Sequence, residues 1–143
     1  EGKRLEAMLV ERLGEIESLT KKAAATAAAQ PAAIKARLKA RVAELMEAQP
    51  ALAEERLLQE AALAASRADV REELDRLAAH VAAARELVKL GGAIGRQFDF
   101  LAQEFNREAN TLCSKSSDLE LTRIGLDLKT AIEQMREQAQ NVE

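Results

Sequence analysis

Polar side chains capable of chemistry are concentrated around the segment NREANTLCSKSSDLE, residues 106–120. Glu104 and Glu108 stand one helical turn apart, so their carboxylates could share a cation or divide acid and base roles. Arg107 offers a planar guanidinium fork for a phosphate oxygen. The face opposite the apolar stripe of this helix carries Gln103, Arg107 and Asn110. Because glutamates at this spacing are common on solvated helices, where they pair with Lys or Arg, the pattern leaves a site and an ordinary surface both open.

The single histidine belongs to a second polar stripe. On a helix, Glu73, Arg76 and His80 fall within about 60° of one another, beside the apolar positions Leu77 and Val81. A neutral imidazole can bind a metal ion or carry a proton near neutral pH, and a carboxylate on the same stripe could orient it or join it as a ligand. The alternative is a histidine at the edge of a helical interface, hydrogen-bonded to Glu73. The sequence has no zinc-site spacing and no nucleophile beside a base.

Charge is distributed unevenly along the chain. No acidic residue lies between Glu17 and Glu44, and this segment carries six basic ones: Lys21, Lys22, Lys35, Arg37, Lys39 and Arg41. Such a segment could hold phosphates, or its Lys and Arg stems could cover the apolar edge of a solvated helix. Near the end of the chain an exposed polar stripe comprises Glu133, Arg136, Glu137 and Gln140. The amide-rich ending suits RNA, a neighbouring subunit or simple solubility.

The composition indicates which elements must position these side chains. The 143 residues are 48% hydrophobic but only 2% aromatic, and they include no Tyr and no Trp. Strand-forming residues are scarce, whereas Ala, Leu, Glu, Arg and Lys dominate, so the sequence predicts an all-α fold: a helical bundle or hairpin with one long, coiled-coil-like helix. The formal charge of −3 gives no electrostatic argument for nucleic acid or an acidic membrane as partner of the whole molecule.

The only cysteine, Cys113, cannot form an intrachain disulfide. The sequence also lacks an apolar run of about 18 residues and a signal-peptide pattern. These features predict a reduced, cytoplasmic setting and no membrane partner. The chain starts without Met and already in helical rhythm, which is typical of a piece of a longer protein.

Apolar residues recur at helical spacing in every segment, and helix breakers divide the sequence into four or five helices. The first helix runs through an Ala-rich tract to Pro31, and the second reaches Pro50. A long helix is predicted over residues 55–89 and ends at Gly91 and Gly92. Its buried seam is predicted to comprise Leu63, Val70, Leu74, Leu77, Val81, Ala84 and Val88.

Two further helices are predicted after the glycines. The first, over residues 96–113, carries a core stripe of Phe98, Leu101, Phe105, Ala109 and Leu112. Because so short a connection makes neighbouring helices antiparallel, His80 is expected to stand level with residues near 106. Ser117 and Glu120 have the spacing of a capping box, which predicts a last helix over residues 118–142. Its inward face is expected to be Leu121, Ile124, Leu128, Ile132, Met135 and Val142.

Three blocks of sequence carry a resemblance: EELDRLAAHV at 72–81, FDFLAQEFNREANTLCSKS at 98–116 and IEQMREQAQNVE at 132–143. Together, and in this order, they resemble the C-terminal region of the YicC-like family of bacterial endoribonucleases. The resemblance covers most of the chain from about residue 54 and is looser upstream. It implies a metal-dependent enzyme that acts on single-stranded or structured RNA, forms ring-like homo-oligomers and has a separate N-terminal α+β domain.

The resemblance also implies roles for the polar residues of these blocks. A divalent cation, Mn²⁺ or Mg²⁺, or its waters would be held by Glu73, His80, Glu104 and Glu108. The catalytic residues would be Glu104, Glu108, His80 and Arg107, with Arg107 and Lys115 offsetting charge in the transition state. RNA would be bound by Gln103, Asn106, Asn110, Lys115, Arg76 and Arg136.

The same comparison divides the chain into an Ala-rich, basic N-terminal arm over residues 1–52 and a YicC-like C-terminal helical domain over 53–143. Because helices with few aromatics bury little area each, homo-oligomers are expected. For the ring-like homo-oligomers that the resemblance implies, a hexamer is one candidate size. Cys113 stands where the family usually has Gly, and a positive φ there would put Cys113 in a strained turn. Since nothing matches the N-terminal domain, the alternative is a non-catalytic oligomerisation or RNA-binding module whose catalysis resides in that domain.

Overall fold

Six α-helices account for nearly all of the structure, a computed structural model that describes residues 2–28, 30–45 and 50–141. The helices are α1 (Gly2–Ala28), α2 (Gln30–Leu45), α3 (Pro50–Arg67), α4 (Arg71–Leu90), α5 (Gly95–Lys115) and α6 (Leu119–Gln140). Within the described ranges there is no strand, which confirms the all-α prediction. None of these helices combines the length and the apolar character that crossing a membrane requires, as far as the described residues extend.

Four of the helices share one hydrophobic core. α1 packs against α4 and α6, and α5 packs against the same two helices, so the four form a closed bundle. The centre of the bundle consists of fully buried side chains at the predicted helical spacing, among them Leu13, Leu77, Phe105, Leu128 and Met135. Burying each such side chain contributes about 1.5–3 kcal/mol to folding, so this core, rather than surface charge, holds the bundle together.

The remaining two helices, α2 and α3, pack mainly against each other as a hairpin between α1 and α4. From here on we call this hairpin of α2 and α3 the arm, which differs from the N-terminal arm predicted over residues 1–52. Besides a small contact with α1, the arm reaches the bundle where Arg37 Nη1 donates a hydrogen bond of 3.3 Å to the carbonyl of Ser117. The division of the chain at residues 52 and 53 stays a prediction. In the structure α1 is nevertheless part of the same core as α4 and α6.

The long helix predicted over residues 55–89 is wrong, because α3 ends at Arg67 and α4 starts at Arg71. Asp69 turns the chain between them. Its carboxylate accepts the backbone N–H of Arg71 at 3.0 Å, and its carbonyl accepts a hydrogen bond from Lys115 Nζ at 3.2 Å. Leu63, which lies before this break, is 47% exposed and does not belong to the seam of α4.

The ends of the later helices show which local signals were sufficient. Gly91 and Gly92 adopt φ values of 66° and 74°, which glycine reaches without a Cβ penalty, and they end α4 as predicted. The N-cap of α6 is Asp118 rather than Ser117: the Asp118 side chain accepts a hydrogen bond from the backbone N–H of Leu121 at 3.1 Å.

The strained turn considered for Cys113 is absent. α5 continues through Lys115, and no residue other than glycine has a positive φ in the described ranges. The Cys113 side chain lies beside Gly125 of α6, and burial raises the pKa of its thiol above its ordinary value. Val142, predicted to face the core, lies outside the described residues.

Candidate functional site

The antiparallel hairpin of α4 and α5 places predicted site residues of the two helices side by side. His80 on α4 packs edge-on against Phe105 on α5, with ring centroids 5.7 Å apart and an angle of 77° between the rings. The short connection predicted that His80 stands level with residues near 106, and its contact with Phe105 agrees with this to within one residue. The His80 Nε2 atom is buried without a hydrogen-bond partner among the described residues. No hydrogen bond joins His80 to Glu73, whose carboxylate is instead bonded by Lys115.

Arg76 connects the two helices through a buried carboxylate. Its Nε lies 3.0 Å from Oε1 of Glu108 on α5, and its Nη2 lies 3.7 Å from Oε2 of Glu73, one turn earlier on α4. A third carboxylate, that of Glu72, is 3.3 Å from the same Nη2. The hydrogen bond with Glu108 raises the pKa of the Arg76 guanidinium above its ordinary value, so Arg76 stays charged throughout the accessible pH range.

Lys115 makes a second connection at the end of α5. Its Nζ donates hydrogen bonds of 3.2 Å and 3.1 Å to the two carboxylate oxygens of Glu73, in addition to its bond to the carbonyl of Asp69. The Glu73 side chain is only 3% exposed, whereas a third of Lys115 remains accessible. We refer to Glu73, Arg76, Glu108 and Lys115 together as the ion-pair network. In it, both buried carboxylates have a cation from the opposite helix.

The polar side of α5 differs from the helical-wheel prediction at Glu108, which is buried. Gln103, Arg107 and Asn110 are exposed, as predicted, and Asn106 is exposed as well; we call these four residues the α5 face. Glu104 is half-buried, whereas Glu108 is 5% exposed and points into the network rather than along the solvent border. Glu104 and Glu108 therefore do not present a symmetric pair of free carboxylates to one ligand. Arg107 retains an accessible guanidinium beside the network.

Arg136, predicted to bind RNA, makes a contact within the bundle. Its Nε lies 2.9 Å from Asp99 Oδ1, and Gln140 Nε2 donates to the same oxygen at 3.1 Å. The hydrogen bond from Arg136 holds the pKa of Asp99 below its usual range. Asp99 thus joins α5 to α6, a role that the sequence did not signal because an exposed-looking Asp has no pattern that identifies its partner.

The divalent ion that the resemblance implies has no complete ligand set among the described residues. Residues 2–28, 30–45 and 50–141 contain no group of three or more His, Cys, Asp or Glu side chains arranged to hold a metal ion. Glu73 and Glu108 already have Lys115 and Arg76 as counter-charges, and a divalent cation would have to displace them. The metal role of Glu73, His80, Glu104 and Glu108 stays a prediction.

Comparison with known proteins supplies the family. The family model described as "Endoribonuclease YicC-like, C-terminal" matches residues 23–143. The probable endoribonuclease YicC of Haemophilus influenzae is 43% identical over 143 residues, all of this chain and 49% of that protein. That of Clostridioides difficile is 39% identical over 107 residues, 75% of this chain and 36% of that protein. The chain thus spans about half the length of the first relative, and its match covers 36% of the second. It belongs to the YicC-like endoribonuclease family, whose C-terminal region it contains.

Proposed function

We propose that the chain is the C-terminal helical part of an endoribonuclease that hydrolyses RNA phosphodiester bonds with the help of a divalent cation, Mn²⁺ or Mg²⁺. The observation that carries the proposal is the family match over residues 23–143, together with relatives named probable endoribonuclease. The α5 face agrees with this reaction class, because it presents one guanidinium and three amides on a rigid helix.

Arg107 is the residue of the α5 face that we expect to touch the reacting phosphate. An accessible guanidinium can bind two phosphate oxygens at once and offset the charge that develops as the phosphodiester is cleaved. The amides of Gln103, Asn106 and Asn110 can donate and accept hydrogen bonds, as unpaired RNA bases and 2′-hydroxyls require. Because these side chains repeat along one helix face, they would contact successive positions of a single strand.

The ion-pair network is proposed to position this face rather than to react. Glu73 and Glu108 are buried and paired, so they hold α4 and α5 in register and thereby orient Arg107, the neighbour of Glu108 in sequence. For the same reason we place the divalent ion outside the network. Glu104 is half-buried on the same side of α5 and is the carboxylate here that we expect to contribute to such a site, with ligands from elsewhere in the protein.

The test is cleavage of an end-labelled RNA by the full-length protein and by the 143-residue chain, each with Mn²⁺, Mg²⁺ or EDTA. The full-length protein should cleave with either metal ion and not with EDTA. Equal cleavage in EDTA would contradict the metal requirement, and no cleavage by the full-length protein would contradict the reaction class. Glu104→Gln should raise the Mn²⁺ concentration needed for half-maximal cleavage, whereas Glu133→Gln, an exposed control on α6, should not.

A second candidate function is supported by the ion pairs themselves. Ion pairs that cross from α4 to α5 and compensate buried carboxylates favour a structural role, so the chain could be a non-catalytic oligomerisation or RNA-binding module with catalysis in another domain. This candidate predicts that the 143-residue chain binds RNA equally well with Mn²⁺ and with EDTA and never cleaves it. Metal-dependent cleavage by the 143-residue chain would exclude it.

Homo-oligomerisation is part of the proposal. Leu90 and Phe100, near the turn between α4 and α5, are 81% and 61% exposed, and Phe100 lines a groove together with Leu87 and Leu101. Exposed apolar surface of this kind marks contact sites between proteins. Light scattering of the full-length protein should show an oligomer that the double variant Leu90→Ser/Phe100→Ser dissociates. A parent protein that is monomeric at micromolar concentration would contradict this part.

A further inference from the structure

A cavity of about 730 Å³ lies where the arm joins the bundle. All of the first four helices contribute to its wall, and the residues that matter here are Ala27 of α1, Gln30 and Ile34 of α2, Ala65 of α3, and Val70 and Leu74 at the start of α4. The volume falls in the range of small-molecule sites in proteins. Most of the wall is apolar, and many of its side chains are alanine methyl groups, which leave open space in place of larger side chains. The charged residues of the wall are Asp69, Arg71 and Asp75, all next to the start of α4.

Gln30 is the feature that distinguishes this cavity from loose packing. Its side chain is 5% exposed, and neither the amide oxygen nor the amide nitrogen has a hydrogen-bond partner among the described residues. Buried polar groups in native proteins are nearly always bonded, and leaving one unsatisfied is costly. An amide that donates and accepts is satisfied best by a ligand with an adjacent donor and acceptor. Gln30 is one of the residues that line the cavity, so a rotation of its side chain would bring this amide into contact with a ligand bound there.

The charge beside the cavity indicates what such a ligand is attached to. α2 leaves the cavity at Ile34 and carries four cations along its next two turns, at Lys35, Arg37, Lys39 and Arg41, all of them exposed. No acidic residue lies between Glu17 and Glu44, so this stretch has no carboxylate of its own to neutralise these cations. A ligand with a planar, hydrogen-bonding head and a chain of negative charges fits this arrangement.

We propose that the cavity takes one unpaired base of an RNA strand whose phosphates lie along the flank of α2 that carries Lys35 and Lys39. The Gln30 amide would bond the edge of the base, as Gln and Asn amides do elsewhere, while the alanine methyls and Ile34 contact its faces. This site rests on the proposed action on RNA, but it lies on the arm and is separate from the α5 face. It assigns the arm a role in substrate selection rather than in cleavage.

The test compares the binding of three strands of equal charge to the full-length protein. Fluorescence anisotropy in EDTA, which prevents cleavage, would measure the binding of hexauridylate and hexaadenylate and of a six-unit abasic ribose-phosphate strand. A base site predicts that at least one of the base-bearing strands binds about tenfold more tightly than the abasic strand. Equal affinity for all three strands would overturn the proposal.

Three variants identify the source of the preference. Gln30→Leu keeps the volume but removes both hydrogen-bonding atoms, so it should abolish the tenfold preference while leaving the melting temperature unchanged or higher, because it removes two unsatisfied buried groups. Ala65→Phe should abolish it by filling the cavity. Ala33→Phe, at an exposed α2 position outside the cavity, is the matched control and should retain it. A Gln30→Leu protein that keeps the preference, or that loses it together with its folded structure while Ala65→Phe retains it, would overturn the proposal.

The α2 cations and the cleavage assay separate this site from the proposed function. Lys35→Ala/Lys39→Ala should weaken the binding of abasic and base-bearing strands by the same factor and lower the salt dependence of affinity by about 0.7 per cation removed. Cleavage of a longer RNA in Mn²⁺ without any base preference would overturn the base site and leave the proposed function standing. Neither binding nor cleavage would overturn both.

Discussion

Nε of Arg76 lies 3.0 Å from Oε1 of Glu108, so a half-exposed guanidinium on α4 compensates a buried carboxylate on α5. The two residues are 32 positions apart and meet because Gly91 and Gly92 allow the chain to reverse between their helices. The pair is asymmetric. Water can solvate Arg76 if its partner is lost, whereas Glu108, with 7% of its side chain exposed, has no such recourse.

This asymmetry predicts different costs for removing either partner. Arg76→Ala should lower the melting temperature by about 5–10 °C, since it leaves Glu108 buried and uncompensated. Glu108→Gln should lower it less, because the neutral amide still accepts a hydrogen bond. The measurement is thermal unfolding followed by circular dichroism, with Arg123→Ala on α6 as an exposed control. A larger loss for Glu108→Gln than for Arg76→Ala would contradict the asymmetry.

The Lys115 and Glu73 pair should behave as a compensated unit. Lys115→Met should reduce the free energy of unfolding by about 2 kcal/mol, less than for a fully buried pair because 35% of Lys115 is exposed. Adding Glu73→Gln should restore much of that loss, since the double variant no longer buries a charge. Urea unfolding of the four proteins gives the coupling energy. Additive effects would show that the pair contributes no interaction of its own.

At Gly125, α6 lies close against α5. A Cβ at this position would lie 2.5 Å from Cys113 Sγ and 3.0 Å from Leu112 Cδ2. Gly125→Ala should therefore destabilise the bundle by about 1–3 kcal/mol through overpacking. Cys113→Ala removes the Sγ atom, so the double variant should be more stable than Gly125→Ala alone. If adding Cys113→Ala to Gly125→Ala does not raise the stability, overpacking against the Cys113 Sγ atom is not the cause of the loss.

The turn before α4 should be sensitive to acid. Hydrogen bonds from the side chain and backbone of Arg71 lower the pKa of Asp69 from 3.8 to about 2. A carboxyl whose pKa is depressed by folding stabilises the protein fully above its unfolded pKa and loses that effect as pH falls through the folded value. Asp69→Asn should therefore be less stable than the parent at pH 7, by a small amount because the pair is largely exposed, and the difference should shrink between pH 4 and 2. Urea unfolding at several pH values measures this, and a difference that grows in acid would contradict it.

Arg107 provides the test of chemistry on the α5 face. Arg107→Lys keeps the charge but loses the bidentate fork, so the full-length protein should cleave RNA at least tenfold more slowly at an unchanged melting temperature. His80→Ala should also slow cleavage while leaving assembly intact, if the imidazole contributes to the site rather than to packing against Phe105. Arg123→Ala serves as the control for lost surface charge. If both variants cleave RNA at the rate of the parent protein, Arg107 and His80 belong to an interface rather than to a site of cleavage.

Local spacing was sufficient wherever one helix alone decides the outcome. Phe98, Phe105, Ala109 and Leu112 recur at helical intervals, and all four are buried on α5. The glycines at 91 and 92 need only their own backbone freedom to end α4, and the short turn then places His80 beside Phe105. The helical class, the core stripes and the level of the hairpin follow from these short-range rules because an α-helix has a constant angle per residue.

Partner choice, in contrast, was decided by the tertiary structure. A helical wheel placed Glu108 at the solvent border of α5. It could not show that Arg76 of α4 would cover that border, because a wheel describes one helix and not the position of its neighbour. The same limit hid the break at Asp69, whose carbonyl is bonded by Lys115 46 residues away, and the burial of Gln30 where the arm meets the bundle. Non-local contacts of this kind determine which polar groups are paired and which remain available for a ligand.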